Sequence, residues 1–339
     1  ASAGGGGKGM RVVRSAEDLS SAVSLARSEA KSAFGDDTVY LEKYLERPRH
    51  VEVQGFGDAQ GNVFHLGERE CSVQRRHQKI LEECPSPAVG PQLRERMGQA
   101  AVDAAKAVNY RSAGTVEFLL AETGEFYFLE MNTRLQVEHP VTELVYGVDL
   151  VEAQIRTAAG EALQFAPETL RPRGHAIEAR LYAEDPYDSF FPQAGRVLCW
   201  RVPSHPGLRV AAGLAGGQEA GMHYDPLLAK VIAYGASREA ATRRLESALR
   251  DTVLLGVTTN LDYLADILRL HEWNSGTLHT GFLDEHADKL TRPPTPLEAA
   301  AFAALGSAPA ATATAPDGGH AAAPTPWTSL GGWQPGRGK

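Results

Sequence analysis

Two apolar runs, Val116 to Ala121 and Phe126 to Met131, flank Thr123-Gly124, an arrangement that predicts a β-hairpin. A turn centred there sets Glu117 opposite Glu130, with Asn132 two residues further along on the same face. Carboxylates directly across a ladder repel, so either both turn to solvent or a positive charge lies between them. A hard divalent cation would serve: Mg2+ takes oxygen ligands and is commonly held by one or two carboxylates together with substrate phosphates. A one-residue slip in register would separate the pair. The next segment, Thr133-Arg134-Leu135-Gln136-Val137-Glu138-His139-Pro140, brings a cation, an amide and a carboxylate to the end of the second strand. Polar residues there, beside a candidate metal, mark a candidate site.

The chain has 339 residues and is 43% hydrophobic, enough for two domains or one large one with an ample core. Its net charge of -8 and the lack of a basic stripe argue against a nucleic-acid partner. An acidic protein that handles an anionic substrate must concentrate its cations locally, and Arg75, Arg76 and Lys79 form one such cluster. Cys71, Cys84 and Cys199 fall at no paired spacing, which predicts reduced thiols, a cytoplasmic setting, and neither disulfides nor a zinc site. No apolar run reaches the roughly 18 residues of a membrane span, and a signal-peptide pattern is lacking. The start on Ala-Ser-Ala-Gly-Gly-Gly-Gly, without Met, reads as that of a fragment.

Along the chain, Gly4 to Gly9 could bring backbone N–H groups close to phosphate oxygens or serve as a flexible terminus. Met10 to Val13 reads as a strand. Ser15-Ala16-Glu17-Asp18 opens a helix in the manner of a capping box, with Leu19, Val23, Ala26 and Ala30 on its buried face and Gly35 at its end. Strands are expected at Val39 to Leu45, His50 to Gly57 and Asn62 to Leu66. The donor-rich run Arg69 to Lys79 reads, on composition alone, as a solvated charged face. A helix runs from Pro91 to about Val108, and another from Val141 to Ala159, ending at Gly160. His175 to Tyr182, Gly195 to Val202 and Leu227 to Tyr234 are expected strands. Ser237 and Asn260 are expected to cap two further helices, the second reaching about Leu270. After about Thr291 the composition turns to Ala, Pro, Thr and Gly, a disordered linker by its low apolar content, before Trp327 and Trp333.

Several long motifs together resemble the biotin carboxylases of biotin-dependent acyl-CoA carboxylases. They are the Gly-Gly-Gly-Gly-Lys-Gly-Met-Arg run, Glu42-Lys43-Tyr44-Leu45 with Pro48-Arg49-His50-Val51-Glu52, and Cys71 to Lys79. The most specific is Glu130 to Glu143, and Gly174 to Arg180 and His223-Tyr224-Asp225 follow. The resemblance runs from Ala1 to about Leu290, and finer details are similar to the α subunits for methylcrotonyl-, propionyl- or related acyl-CoA substrates. It implies an α+β protein with an ATP-grasp fold (a lid subdomain and an antiparallel-sheet core) and a biotin carboxylase C-terminal domain. The implied division is an ATP-grasp domain over 1–165, a C-terminal domain over 166–290, a linker over 291–326 and the start of a further unit over 327–339. The family's N-terminal nucleotide-fold-like domain would be absent, and its ATP-binding lysine would fall just before Ala1.

The resemblance also implies roles. Glu117, Glu130 and Asn132 would hold Mg2+ or Mn2+ on the ATP phosphates. Gly6 and Gly7 would lie in a glycine lid, Glu42, Lys43, Tyr44 and Leu45 would form the adenine hinge, and His50, Gln74 and His77 would contact nucleotide. Lys79, Arg134, Gln136 and Val137 would hold bicarbonate, which Glu138 would deprotonate. Arg134 and Arg180 would stabilise the enolate-like oxygen of biotin. The implied partners are a biotin carboxyl carrier domain, a second copy of the chain and a carboxyltransferase subunit. Arg134 pairing structurally with Glu138, Arg180 with Glu178, and His50 and His77 as satisfied structural histidines remain the competing readings. For the whole chain, the alternatives are a binding or assembly module without turnover, and another ATP-grasp carboxylate ligase.

Overall fold

The computed structural model describes residues 1–4, 9–162, 170–221 and 223–291. The expected lid positions Gly6 and Gly7, and the expected linker and further unit after Thr291, lie outside the described residues. Helix α1 (Leu19–Phe34) ends at Gly35, whose left-handed φ of 76° lets its N–H reach the Lys31 carbonyl. The Ser15 hydroxyl does meet the Asp18 carboxylate at 2.7 Å, but it closes the turn before the helix. Of the expected apolar face only Ala26 and Ala30 are buried, and Leu19 is exposed. Met10 to Val13 and Val39 to Leu45 are not strands. Apolar and aromatic residues favour extended chain, but a strand exists only where a neighbour completes its ladder.

The core is an antiparallel sheet of eight strands. Six are β1 (Arg49–Gly57), β2 (Val63–Arg75), β3 (Gln78–Cys84), β4 (Ser112–Leu120), β5 (Phe126–Asn132) and β6 (His175–Tyr182). The strands Leu208–Ala212 and Leu227–Gly235 complete it. From one edge the order is Leu208–Ala212, Leu227–Gly235, β6, β3, β2, β1, β4, β5. Strands from both sides of residues 163–169 therefore share one sheet.

Alternation along the strands assigns the two faces. Val51, Val53, Val116 and Phe118 pack with Met97 and Ala101 of α2 (Pro91–Ala107). Gly98 lets this helix approach β2, since a Cβ there would sit 2.4 Å from the His65 ring. At the other end, Leu81, Ile177, Ala179 and Val231 pack under Ala241, Leu245 and Leu249 of α5 (Arg238–Asp251). The intervening positions His50, Glu52, Gln54, Thr115 and Glu117 are all buried, though polar.

The expected helix from Val141 to Ala159 is two helices, α3 (His139–Tyr146) and α4 (Leu150–Ala158). Gly147 ends the first in the left-handed region, and the Asp149 carboxylate caps the second by accepting the Glu152 N–H at 2.8 Å. The Ser237 hydroxyl caps α5 by accepting the Ala240 N–H, as its position predicts. Asn260 does not cap the helix Leu261–Ile267 that follows it. Its side chain accepts the Tyr182 N–H at 2.8 Å and donates to the Arg180 carbonyl at 3.1 Å, holding the end of β6. The expected strand Gly195 to Val202 is two short pieces, Gly195–Arg196 and Cys199–Arg201. Among the described residues no helix is long and apolar enough to cross a membrane.

Candidate active site

In the β4–β5 hairpin Glu117 faces Glu130, Val116 faces Met131 and Thr115 faces Asn132. Nearer the turn the register shifts, Phe118 facing Phe128, so Leu129 is an extra residue in β5. The expected pairing of the two carboxylates therefore holds through a bulge and not through a uniform ladder. The Asn132 amide donates to Glu117 Oε1 at 3.0 Å and to Glu130 Oε1 at 3.2 Å. Three oxygen-bearing side chains thus converge at the sheet edge, the exposed Glu130 outermost, a donor set that fits a hard divalent cation. His50, Glu52 and Glu117 also offer donor atoms within 4.8 Å of one another, but Arg69 and Lys79 already neutralise Glu52.

Glu117 is buried and receives further donors: His50 Nε2 at 2.9 Å, the Gln136 amide at 2.8 Å and Lys79 Nζ at 3.1 Å. Burial disfavours its charge, yet the His50 hydrogen bond and the Lys79 ammonium hold its carboxyl well below the usual range. Lys79 enters from the start of β3 and also donates to Glu52 and Glu138, each at 2.6 Å. Burial pulls the ammonium towards neutrality, and the surrounding acidic groups more than reverse that.

The segment Arg69 to Lys79 is not a solvated face. It forms β2, a two-residue turn and the start of β3, and Arg69 is fully buried because its strand is paired on both sides. Its guanidinium spends its donors on Glu52 at 2.5 Å, Gln54 at 2.7 Å, and Thr115, Gln136 and Thr142 at 3.1–3.2 Å. Burial works against the Glu52 carboxylate, and Arg69 and Lys79 bring it down to about 2. Gln136 is thereby oriented, its oxygen on Arg69 and its nitrogen on Glu117.

Glu138 lies just before α3, between two cations: Lys79 Nζ on one oxygen and Arg180 Nη2, at 3.0 Å, on the other. Arg180 also places Nε 2.5 Å from Glu82. Its ion-pair partners are Glu82 and Glu138, not Glu178. Arg134 is not the partner of Glu138 either. It is exposed, and its contacts are the Leu135 carbonyl at 3.3 Å and Asn132 Oδ1 at 3.4 Å. The Val137 carbonyl accepts from Lys230 at 2.5 Å.

Other expected residues lie apart from this cluster. Glu42, Lys43 and Tyr44 are exposed in the chain between α1 and β1, Leu45 is half-buried, and Lys43 bonds the Tyr127 hydroxyl at 2.9 Å. Gln74 is buried opposite Lys79, and His77 is exposed at the β2–β3 turn with φ 68°. Four members of the network were not anticipated: Glu52, Arg69, Glu82 and Lys230. The alternation His50-Val51-Glu52-Val53-Gln54 carried a signal for the first, since a strand with one polar and one apolar side that is buried on both must serve a network.

The sequence profile of the family described as "Carbamoyl-phosphate synthase L chain, ATP binding domain" matches residues 1–166. That described as "Biotin carboxylase C-terminal domain" matches residues 178–285. A pyruvate carboxylase subunit of Methanothermobacter thermautotrophicus is 52% identical over 286 residues, covering 84% of this chain and 58% of that protein. The mitochondrial methylcrotonoyl-CoA carboxylase α chain of Rattus norvegicus is 49% identical over 284 residues, covering 84% of this chain and 40% of that protein. The chain thus spans about half the length of the curated relatives it matches. Among solved structures, the biotin carboxylase domain dimer of Hydrogenobacter thermophilus 2-oxoglutarate carboxylase, with MgADP, ADP and bicarbonate, superposes with a TM-score of 0.83. It is 45% identical, and the match covers 87% of this chain and 65% of that one.

Proposed function

The chain belongs to the biotin carboxylase family, and from that premise we propose that it carries the site at which ATP and bicarbonate carboxylate biotin. The observation that carries the reading is the position of Lys79, whose Nζ is 3.1 Å from Glu117 on the metal side and 2.6 Å from Glu138 on the other. One cation thereby joins the place where phosphates would be held to the place where bicarbonate would lose its proton.

Glu117, Glu130 and Asn132 would hold Mg2+ or Mn2+, which when bound neutralises charge on the ATP phosphates. Lys79, Arg134, Gln136 and Val137 would bind bicarbonate. Glu138 would take its proton, and the oxygen so freed would attack the γ-phosphorus to give ADP and carboxyphosphate, which breaks down to CO2 and phosphate. Phosphate would then remove the ureido proton of biotin, while the guanidinium forks of Arg134 and Arg180 stabilise the charge on the ureido oxygen. His50, Gln74 and His77 would contact the nucleotide, the first two from strands beside Glu117 and Lys79 and the third from the β2–β3 turn. Gly6 and Gly7, and the Glu42 to Leu45 segment between α1 and β1, would complete the nucleotide site.

The family suggests a biotin carboxyl carrier domain as substrate, partnership with a carboxyltransferase subunit and a dimer, whereas a cytoplasmic setting rests on the unpaired cysteines alone. The test is ADP release from Mg-ATP with bicarbonate, with and without free biotin. Biotin should stimulate release, and Glu138→Gln should abolish the stimulation while leaving Mg-ATP binding in place. An undiminished rate in that variant would sink the assignment. ATP binding without turnover in the parent chain would favour the module reading.

A further inference from the structure

The sheet brings carboxylates face to face in several places, and most of these have an evident remedy. Glu52 faces Glu117, and Lys79 bridges both. Glu70 faces Glu83, each with its own arginine, Arg49 and Arg238. Glu82 on β3 faces Glu178 on β6, both fully buried, and here the remedy is missing. Among the described residues none of their four carboxyl oxygens makes a hydrogen bond. Arg180 Nε approaches Glu82 to 2.5 Å outside hydrogen-bond geometry, while Nη2 of the same guanidinium is taken by Glu138. Lys230, across the next ladder, stays 3.9 Å from Glu178.

Charge counting sharpens this. The buried cluster on this face holds five carboxyl groups, Glu52, Glu82, Glu117, Glu138 and Glu178. Against them stand the cations Arg69, Lys79, Arg180 and Lys230, and the His50 imidazole, which meets Glu117 and not Glu82 or Glu178. Two further titratable groups near Glu82, the Cys71 thiol and the Tyr182 hydroxyl, are pushed up by burial and stay neutral. An uncompensated charge in such a place is expensive, and a buried acid relieves it by binding a proton.

We propose that Glu82 and Glu178 share one proton, and that the pair acts as a positioning element behind Arg180. The proton sits on one carboxyl and is donated to an oxygen of the other, leaving a single negative charge for Arg180 and Lys230 to face. Burial drives the Glu82 carboxyl up to about 7, and burial together with Glu82 drives Glu178 well above its ordinary value, in keeping with a bound proton. As an interacting pair they titrate together. Arg180, anchored by this pair on one side, is free to present Nη2 to Glu138 on the other.

Infrared absorption at neutral pH reads the proton directly, because a protonated carboxyl has a C=O stretch distinct from carboxylate bands. One such band, shifted by H2O/D2O exchange, is expected in the parent chain. It should vanish in Glu82→Gln and in Glu178→Gln alike, since either change leaves a single carboxylate beside Arg180 and Lys230. Absence of the band in the parent, which requires no variant to fold, overturns the proposal, as does its survival in either variant. These arms need no turnover, so they stand or fall apart from the carboxylation reading. The role behind Arg180 does rest on that reading. There, each variant should flatten the pH dependence of KM for biotin near neutrality, and an unchanged profile removes the positioning role.

Discussion

Lys79 and Arg134 are both cations of the candidate site, and their surroundings make opposite demands on them. Lys79 is the shared counter-charge of Glu52, Glu117 and Glu138. Lys79→Met leaves three buried carboxylates short of a partner and should cost about 3–5 kcal/mol in urea unfolding. Arg134 is exposed and, among the described residues, makes two long hydrogen bonds, at 3.3 and 3.4 Å. Arg134→Met should therefore stay within about 0.5 kcal/mol of the parent chain. It should still lower biotin-stimulated ADP release by about a hundredfold or more, the scale of losing a charge-stabilising donor. If the two variants unfold alike, Arg134 is structural. At this scale the facing of Glu117 and Glu130, with Asn132 beyond, was legible from strand period and a turn signal, although the ladder reaches it through the bulge at Leu129. Arg69 was not, because composition cannot tell a charged residue on a surface from one enclosed by five acceptors.

The β4–β5 hairpin shows what an element adds. Its apolar runs and Thr123-Gly124 foretold the turn, whereas the extra residue at Leu129 became apparent only in the paired ladder. Deleting Leu129 should give a regular ladder that still sets Glu130 opposite Glu117. Mn2+ affinity, followed by electron paramagnetic resonance of the free ion, should then change by less than about tenfold. Deleting Met131 instead turns Asn132 to the opposite face and should weaken Mn2+ by about tenfold or more, the scale of losing a supporting ligand. The reverse ranking would remove Asn132 from the metal set. Helices fared similarly: Ser237 capped as its position predicts, but Asn260 was drawn off its helix by the unpaired backbone ends of β6.

For the whole molecule, the two kinds of perturbed carboxyl oppose each other with pH. Glu52 and Glu117 sit below their ordinary value of 4.5, so their contribution is present above that pH and is lost as pH falls through the lowered value. Glu82 is raised to about 7, so between 4.5 and about 7 the folded chain keeps a proton that the unfolded chain has released. Stability should decline as pH rises through that window. Urea midpoints taken across it should fall for the parent chain and fall less for Glu82→Gln. Equal slopes would mean that Glu82 holds no proton there.

What the sequence determined by itself was the chain's local grammar and its kinship: the turn, most helix boundaries, strand alternation, and motifs long enough to identify a family. Those signals lie within a few residues of one another, where spacing and propensity act directly. The tertiary structure alone decided which charges are buried together. Glu52, Lys79, Arg69, Glu82 and Arg180 come from β1, β3, β2 and β6, and only ladder register and the packing of helices over both faces bring them into one enclosed cluster. Enclosure removes the water that would otherwise let each charge act alone, and the balance among carboxylates and cations then becomes a property of the sheet as a whole.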